Sequence, residues 1–377
     1  MLLDNLKLFV LQPTSFCNLN CRYCYVPDRQ DKTYMSREIL EHAIKKLFID
    51  KTEGGIDFLY HAGEPMVVGK TFYENTLEII NKYKPKNLVV NNVIQTNGVL
   101  INENWAQFFI KNNFKVGISL DGPKSLHDAN RKNWNNNGSF DKTLRGFKLL
   151  KEYGLTAGIL TVITSLHLEY AKELIDFYIE NGIEDVGFNI EEIENTNTSS
   201  SLGTLDNLNT DKYTVFMKEI FDLSMKYSDR IRIRELSDAL NILYSRKKDS
   251  SYCAVSLEAQ DLGILTIQKN GDITTYCPEF AGMKSKEYNN FIIGNVLALD
   301  KLSDIVINPN YIKIKSEYDK RKQNCKNSCE YYSICGSSYL SNVFSETKTL
   351  TATKNLACIL QKQKLFDLVL EKLIEHS

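Results

Sequence analysis

The sequence lacks the features that mark several specialised classes of protein. Its 377 residues include only 7 prolines and 19 glycines, too few for collagen or for a low-complexity disordered chain. Lys+Arg 46 against Asp+Glu 47 leaves no excess charge of one sign, so the chain has no general attraction for nucleic acid. No stretch reaches the roughly 18 apolar residues that a membrane span needs, and Asp4, Asn5 and Lys7 interrupt the N-terminal apolar region. We expect a cytoplasmic protein without a nucleic-acid or membrane partner.

The nine cysteines are too dilute, and odd in number, for a disulfide scaffold. Their positions are grouped rather than scattered. A first group is Cys17, Cys21 and Cys24; two stand apart, Cys253 and Cys277; and a last group is Cys325, Cys329, Cys335 and Cys358. Such grouping indicates metal binding.

Short apolar runs alternate with segments of helical period over the first 230 residues. The predicted strands are Leu8–Leu11, Ile56–Tyr60, Leu88–Ile94, Val116–Leu120, Ala157–Ile163 and Val186–Ile190. The predicted helices are Ser36–Phe48, Lys70–Tyr83, Asn102–Asn112, Phe140–Tyr153, Leu168–Asn181 and Asp211–Tyr227. Strand–helix units of about thirty residues predict an α/β fold with a parallel sheet, most simply a partial (β/α)6 TIM-like barrel.

The pattern changes in the second part of the chain. Residues 194–210 are polar and predict a long loop. From about Asn241 the sequence is rich in turn residues and scattered cysteines, with a hairpin signal at Asn270–Gly271. We therefore expect two domains, residues 1–236 and residues 237–377, with the boundary near Ser237.

The strongest local signal is the C-x3-C-x2-C loop that holds the first cysteine group, directly after the first predicted strand. Barrel enzymes keep their chemistry at this end of their strands. Iron–sulfur cubanes commonly have four protein ligands, so three thiolates would leave one iron open. The spacing also allows a zinc site completed by His42 or His61, or plain buried thiols.

With Tyr23 just before its third cysteine, this loop resembles the signature of the radical S-adenosylmethionine (radical SAM) enzymes. The resemblance implies a [4Fe–4S] cluster held by the three cysteines of the first group, with S-adenosylmethionine (SAM) bound at the open iron. It implies iron–sulfur redox chemistry rather than a zinc-stabilised binding protein, which is the alternative from another functional class.

Further motifs of that family follow at later strand ends. His61–Pro65 looks like the GGEP motif, which accepts the methionine amino group of SAM, with Ala62 in place of its first glycine. Gln95–Gly98, Ser119–Pro123 and His127–Arg131 match other family motifs. The implied cofactor-binding residues are Tyr23, Gly63, Glu64, Gln95, Asn97, Ser119, Asp121 and Arg131. From the residues alone, Glu64 also fits a solvated loop carboxylate and Asp121 a helix cap, and we expect His61 and His127 to be structural.

The last cysteine group resembles the SPASM extension, a small cysteine-rich auxiliary iron–sulfur domain found on many peptide-modifying radical SAM enzymes. By that pattern the last four cysteines, Cys325, Cys329, Cys335 and Cys358, ligate one auxiliary [4Fe–4S] cluster, although a four-cysteine zinc site has similar spacing. Cys253 and Cys277 match positions of a second auxiliary cluster. That cluster lacks a ligand, because Tyr339 occupies a position where the pattern has cysteine, so these two cysteines are additional metal ligands or buried structural thiols.

The segments FVLQPTSFCNLNCRYCYVPDR, HAGEP and GFNIEEIE look most like the maturases that form cyclophanes in ribosomally made peptides. This resemblance implies that a 5′-deoxyadenosyl radical abstracts a side-chain hydrogen and that Cβ then bonds to an aromatic ring. Glu191 and Glu192, at a predicted strand end, are candidate catalytic residues, since paired carboxylates can have separated pKa values; the alternative is a solvated loop pair.

The resemblance also implies partners: a precursor peptide, a low-potential electron donor such as flavodoxin or ferredoxin, and a separate leader-peptide-binding protein, because the first strand begins within ten residues of the N-terminus. The alternatives are formylglycine formation as in the anaerobic sulfatase maturases, thioether formation or epimerisation. Sulfatase maturases carry an acidic residue directly after the hairpin cysteine, where this chain has Pro278 and then Glu279.

Overall fold

The computed structural model describes residues 3–375. The first part of the chain contains β1 (Leu8–Leu11), α1 (Arg37–Asp50), β2 (Glu53–Tyr60), α2 (Lys70–Tyr83), β3 (Asn87–Thr96), α3 (Glu103–Lys111), β4 (Phe114–Ser119), α4 (Lys124–Asn130), α5 (Phe140–Glu152), β5 (Gly158–Ile163), α6 (Ala171–Glu180) and β6 (Asp185–Ile190). The second part contains β7 (Gly203–Thr204), β8 (Asn207–Leu208), α7 (Thr210–Lys226), β9 (Arg232–Ile233), α8 (Arg234–Lys248), β10 (Ile264–Ile267), β11 (Asp272–Thr275), β12 (Gly294–Asn295), α9 (Pro309–Ser328), α10 (Tyr332–Cys335), α11 (Leu340–Thr347), a π-helix (Cys358–Lys364) and α12 (Leu365–Glu375).

Six parallel strands, β1 to β6, lie side by side in chain order and are joined by helices. Strands β1 and β5 are nearly continuous apolar runs, as is usual for parallel strands covered on both faces, whereas β3 includes Asn91, Asn92 and Gln95. In β1, for example, Phe9, Val10 and Leu11 are fully buried. This confirms the predicted α/β fold and places the carboxyl ends of all six strands along one edge.

Local signals account for where the helices begin and end. The hydroxyl of Ser36 caps α1 by accepting a hydrogen bond from the backbone N–H of Ile39. Gly154 and Gly182, which follow α5 and α6, have φ of +78° and +62°, the left-handed conformation common just after a helix. The helices pack on the sheet through aromatic contacts such as Tyr73 of α2 with Tyr60 of β2, whose ring centroids lie 5.0 Å apart.

The sheet continues into the C-terminal part of the chain. Strand β10 pairs in parallel with β1, with Leu8 opposite Ile264, and β10 and β11 form the antiparallel hairpin predicted at Asn270–Gly271. The ten-strand order begins at β12 and ends at β9, so the sheet is open and the barrel partial. Residue 237 lies inside α8, and the division into 1–236 and 237–377 stays a prediction.

The expectation of a turn-rich segment after Asn241 is wrong for much of that segment, because α8, α9, α11 and α12 are helical. The reason is visible in α9, whose buried residues are Tyr311, Ile314, Tyr318, Arg321 and Cys325. These residues recur at helical spacing, but only one of them is aliphatic. The sequence therefore shows no clear hydrophobic periodicity from which the helix could be predicted. Within residues 3–375 no helix combines the length and apolarity that crossing a membrane requires.

Candidate active site

A cavity of about 1060 Å³, part of it open to solvent, lies at the carboxyl edge of the parallel strands. Most of the sequence motifs meet there. Its wall includes Cys17, Cys21, Tyr23, Cys24, Tyr25, His61, Gly63, Gln95, Asn97, Ser119, Arg131, Glu191, Glu192, Glu194 and Glu279. Two of the predicted cofactor-binding residues, Glu64 and Asp121, are absent from this wall and lie behind it.

The cysteine loop leaves the end of β1 and is held by hydrogen bonds to its backbone. The indole Nε1 of Trp134 donates to the carbonyl of Cys17 at 2.8 Å, and a guanidinium nitrogen of Arg29 donates to the carbonyl of Cys21 at 3.3 Å. The backbone N–H of Leu19 donates to the Cys17 sulfur at 3.4 Å. These contacts orient the loop so that its thiols line the cavity.

The surroundings of these thiols suit a negatively charged metal cluster. Burial raises the pKa of Cys21 to about 12, and the nearby guanidinium of Arg131 opposes that rise. Iron binding removes the thiol protons, after which Arg131 compensates the negative charge. No three His, Cys, Asp or Glu side chains in the described part of the chain lie close enough to bind one metal ion together, as a zinc site would require. A cubane does not need such a group, because each thiolate binds a different iron of the cluster. The three thiols fit the iron–sulfur cluster predicted for them.

Glu64 ties the ends of two strands together. One of its carboxylate oxygens accepts from the Thr96 hydroxyl at 2.8 Å and from the Met66 N–H at 2.9 Å, and the other accepts from the Asn97 N–H at 2.8 Å. Burial raises its pKa to about 7. The side chain is only 1% exposed, so it is not a solvated loop carboxylate, and its predicted contact with SAM stays a prediction.

The backbone beside Glu64 is in an unusual conformation. Ala62 and Gly63 both have positive φ, +70° and +56°. A Cβ added to Gly63 would lie 2.5 Å from the carbonyl oxygen of Phe16, so only glycine lets the strand end pass this close to the cysteine loop. Ala62 adopts the left-handed conformation without being glycine, which costs energy.

Asp121 is completely buried and forms an internal charge network. Its carboxylate pairs with the Arg131 guanidinium at 3.0 Å and accepts from the Tyr23 hydroxyl at 2.5 Å and from the Val162 N–H at 3.0 Å. Burial opposes ionisation, but Arg131 and its neighbours keep the pKa of Asp121 below its usual value. Asp121 therefore acts on the cavity through Tyr23 and Arg131, which do line it, and it does not cap a helix.

Of the other side chains named in the sequence analysis, some line the cavity and one is buried in the protein. Gln95 and Ser119 line the cavity and contact one another, with the Gln95 amide donating to the Ser119 hydroxyl at 3.1 Å. His127 is fully buried, accepts from the Asp121 N–H at 3.2 Å, and lies 2.9 Å from the Ser139 hydroxyl. Its position agrees with the structural role expected for it. His61 lines the cavity, and burial lowers its pKa to about 4.

The candidate catalytic pair separates into two roles. The Glu191 carboxylate accepts from the N–H and hydroxyl of Ser201 and lies 3.5 Å from the Arg22 guanidinium. Glu192 also lines the cavity, and burial together with the charge of Glu279 raises its pKa to about 8. Glu191 is thus committed to protein contacts, while Glu192 is the carboxylate able to exchange a proton near neutral pH.

The last cysteine group converges from three elements. Cys325 lies in α9, Cys335 ends α10 and Cys358 begins the π-helix, with Cys329 just after α9. Burial, and then the nearby thiols, raise the pKa of Cys358 to about 12. These four thiols lie together, as the SPASM resemblance implies, and Arg321, only 1% exposed, lies beside them.

The two isolated cysteines have different surroundings. The Cys253 thiol contacts the Tyr332 carbonyl at 3.9 Å, next to the last cysteine group. Cys277 is 1% exposed, and burial with the charges of Glu258 and Glu279 raises its pKa. Carboxylates, rather than further thiols, therefore surround Cys277, and whether it binds metal stays a prediction.

Several contributors have no signal in the sequence. Trp134 lies in a polar stretch of asparagines, and Asn18 accepts from the Asn97 amide at 2.7 Å although 79 residues separate them. Glu194 and Glu279 line the cavity from opposite parts of the chain. Pairings of this kind depend on tertiary contacts, which no local spacing encodes.

Comparison with known proteins agrees with this geometry. Residues 11–196 match the family model of the radical SAM superfamily. A protein described as "Cysteine-type anaerobic sulfatase-maturating enzyme", from Clostridium perfringens (strain 13 / Type A), is 30% identical over 352 residues, covering 88% of this chain and 87% of that protein. An uncharacterized Synechocystis protein, sll1766, is 33% identical over 378 residues, which cover 98% of this chain and 92% of that protein.

Solved structures give the same result. "Native anSMEcpe with bound AdoMet and Cp18Cys peptide" is 25% identical, with a TM-score of 0.78 over 98% of both chains. Streptococcus suis SuiB bound to precursor peptide SuiA shares the fold, with a TM-score of 0.64 at 20% identity over 94% of this chain and 76% of that one. The chain therefore belongs to the radical SAM superfamily and is an enzyme that uses a [4Fe–4S] cluster with SAM, extended by a SPASM-like auxiliary-cluster region.

Proposed function

We propose that the enzyme is a peptide maturase that forms an intrapeptide cross-link, a cyclophane joining a side-chain Cβ to an aromatic ring. The observation that carries this proposal is the position of Glu192, whose raised pKa suits a proton acceptor, in the wall that also holds the cysteine loop. Structures of the relatives anSMEcpe and SuiB contain bound peptides, which supports a peptide substrate here.

The proposed reaction removes two hydrogen atoms from the peptide. When bound, the reduced cluster and SAM supply a 5′-deoxyadenosyl radical that takes one hydrogen atom from a Cβ–H bond. The carbon radical bonds to a neighbouring aromatic carbon, and the ring regains aromaticity by losing one electron and one proton. Glu192 accepts the proton in its ionised form, in which its raised pKa of about 8 makes it a stronger base than an ordinary carboxylate. Cys325, Cys329, Cys335 and Cys358 would hold an auxiliary cluster, which would supply the electron acceptor.

Protein residues would position the cofactor and the substrate. Tyr23, Gly63, Gln95, Asn97, Ser119 and Arg131 are the proposed SAM contacts, because they line the cavity beside the cysteine loop. Glu64 and Asp121 are proposed to act one layer behind, by fixing the strand ends. A flavodoxin or ferredoxin as electron donor and a separate leader-peptide-binding protein complete the proposal.

Formylglycine formation is the second candidate, favoured by the 30% identity to a cysteine-type sulfatase-maturating enzyme. Although Pro278 follows the hairpin cysteine, the next residue, Glu279, lines the cavity and offers a carboxylate near the usual acidic position. In this alternative a peptidyl cysteine loses its sulfur and gains an aldehyde oxygen.

Mass spectrometry of the treated precursor peptide separates these functions. Cyclophane formation lowers the mass by two hydrogens and leaves every cysteine thiol free to react with iodoacetamide. Thioether formation gives the same mass but consumes a thiol. Formylglycine formation from cysteine replaces one sulfur by one oxygen and also removes two hydrogens, and epimerisation leaves the mass unchanged. Any of the last three results would overturn the cyclophane proposal.

A further inference from the structure

Four glutamates from distant parts of the chain meet beside the active-site cavity. We call Glu192, Glu194, Glu258 and Glu279 the carboxylate cluster. They line a second cavity, of about 890 Å³ including its opening to solvent. Glu192, Glu194 and Glu279 also line the active-site cavity. The two cavities therefore share a wall made largely of carboxylates.

Three separate elements deliver these side chains. Glu192 and Glu194 follow β6, Glu258 lies in a short 3-10 turn before β10, and Glu279 lies in another just after β11. Tertiary structure thus collects them at one place. Burial and their mutual repulsion raise the pKa values of Glu192, Glu194 and Glu279, so the cluster is strained when all four are charged.

Glu194 has unused hydrogen-bonding capacity. Its side chain is only 2% exposed. One carboxylate oxygen accepts from the Asn342 amide at 2.6 Å, but Oε1 is buried and accepts no hydrogen bond from the described residues. Ser341 lies beside the carboxylate and lowers its pKa, against the larger effect of burial. A buried polar atom without a partner costs free energy, so this oxygen points to a donor that the protein itself does not supply.

Positive charge in the second cavity does not balance the cluster. Arg234 lines the cavity but is committed to Glu235, donating from Nε at 2.8 Å and from Nη2 at 2.5 Å. Lys362 is a single ammonium near Glu258, and Asp238 adds another carboxylate to the wall. The wall therefore carries more acidic groups than basic ones, and a cation that enters it displaces the protons that the raised pKa values of Glu192, Glu194 and Glu279 hold there near neutral pH.

The geometry favours an organic cation over a metal ion. Across residues 3–375, no three carboxylate, thiol or imidazole groups are close enough to coordinate one metal ion together. A long flexible side chain with several N–H donors can span the separated oxygens. Because Glu192, Glu194 and Glu279 also line the active-site cavity, a side chain of a peptide bound there can meet the carboxylate cluster directly.

We propose that the carboxylate cluster binds the ammonium or guanidinium of a lysine or arginine side chain in the substrate and thereby selects peptides with a basic residue near the site of modification. This inference rests on the proposed peptide substrate. It concerns recognition, so it is independent of which bond the enzyme forms.

Calorimetric titration of the SAM-bound holoenzyme without reductant tests the proposal in the absence of turnover. The probes are three acetylated, amidated tripeptides, Gly-Lys-Gly, Gly-Arg-Gly and Gly-norleucine-Gly. We expect the two basic peptides to bind at least roughly tenfold more tightly than the norleucine peptide, because charge pairing is strong in a partly buried site. Equal affinity for all three, or no measurable binding of the basic peptides, would overturn the proposal.

Glu194→Gln is the decisive variant, and Glu219→Gln on the exposed face of α7 is its control. Glu194→Gln should weaken lysine-peptide binding about fivefold or more and leave the norleucine peptide unchanged, while Glu219→Gln changes neither. The melting temperature and SAM affinity of the Glu194→Gln variant report whether that variant is folded. If it is not folded, Glu258→Gln takes its place in the test. An unchanged lysine-to-norleucine ratio in a folded variant contradicts the assignment. Failure of cross-linking would leave this ratio intact, so the two proposals fail separately.

Discussion

The phenol of Tyr23 donates a 2.5 Å hydrogen bond to the carboxylate of Asp121, joining the cysteine loop to the segment after β4. Arg131 pairs with the same carboxylate oxygen at 3.0 Å, and its guanidinium lies 5.3 Å from the centre of the Tyr23 ring. The three side chains form a connected unit beside the thiols of the loop, with Asp121 fully buried and Tyr23 and Arg131 in the cavity wall. The chain itself therefore helps to hold the cysteines in place.

Removing the Asp121 charge should be costly, because it leaves the Arg131 guanidinium buried without its partner. We expect Asp121→Asn to lower the unfolding free energy by about 3–5 kcal/mol. Asp141→Asn is the matched control, because Asp141 pairs with Lys124 at the exposed surface and should cost less than about 1 kcal/mol. Urea unfolding of both reconstituted variants measures this, and similar losses would argue against the connected unit.

Loss of one thiol of the cysteine loop should abolish SAM cleavage. Cys21→Ala removes a proposed ligand of the cluster that binds SAM, so we expect no 5′-deoxyadenosine on chromatography of the reduced reaction. The iron held by the last cysteine group, about four per chain, should persist and shows that the variant is folded. SAM cleavage at even a tenth of the wild-type rate would mean that Cys21 is not a ligand.

The raised pKa of Glu192 should appear in the pH dependence of stability. The folded protein keeps a proton at this carboxyl up to about pH 8, whereas the unfolded chain releases it near 4.5. The folded state binds more protons in between, so stability falls as pH rises from about 5 to about 8. Glu192→Gln should reduce that fall by roughly 1.4 kcal/mol or more, the equivalent of one pKa unit. Parallel pH profiles of unfolding for the variant and wild type would contradict the assignment.

Ala62 occupies a position that suits glycine, since its φ is +70°. Ala62→Gly should remove about 1–2 kcal/mol of backbone strain and lose part of that gain to the freer unfolded chain. We expect a net stabilisation of roughly 0.5–1 kcal/mol in denaturant unfolding. Ala106→Gly, in the middle of α3, is the opposing control and should destabilise by about 1 kcal/mol; the same sign for both would refute this account of Ala62.

The sequence predicts the first half of the fold well, because each strand–helix unit has its own hydrophobic periodicity and its own helix-capping and turn residues. Gln95 and Ser119 match family motifs at successive predicted strand ends, and both line the cavity because the carboxyl ends of neighbouring parallel strands share an edge. Their predicted contact with SAM follows from resemblance alone.

What the sequence does not predict depends on long-range packing. Strand β10 lies beside β1 although about 250 residues separate them, and no local pattern encodes that pairing. The buried face of α9 includes Tyr318 and Arg321, so its sequence does not show the apolar periodicity that predicts a helix. Likewise, Glu258 and Glu279 lie in separate short turns, and only the folded chain shows that they meet Glu194.

Iron and acid-labile sulfide content of the anaerobically purified protein, with its absorption spectrum, reports directly whether the chain holds the two proposed clusters. We expect about eight irons per chain, falling to about four when Cys17, Cys21 and Cys24 are replaced together. About twelve falling to about eight would instead give Cys253 and Cys277 a second auxiliary cluster. A colourless protein containing zinc would contradict the account altogether.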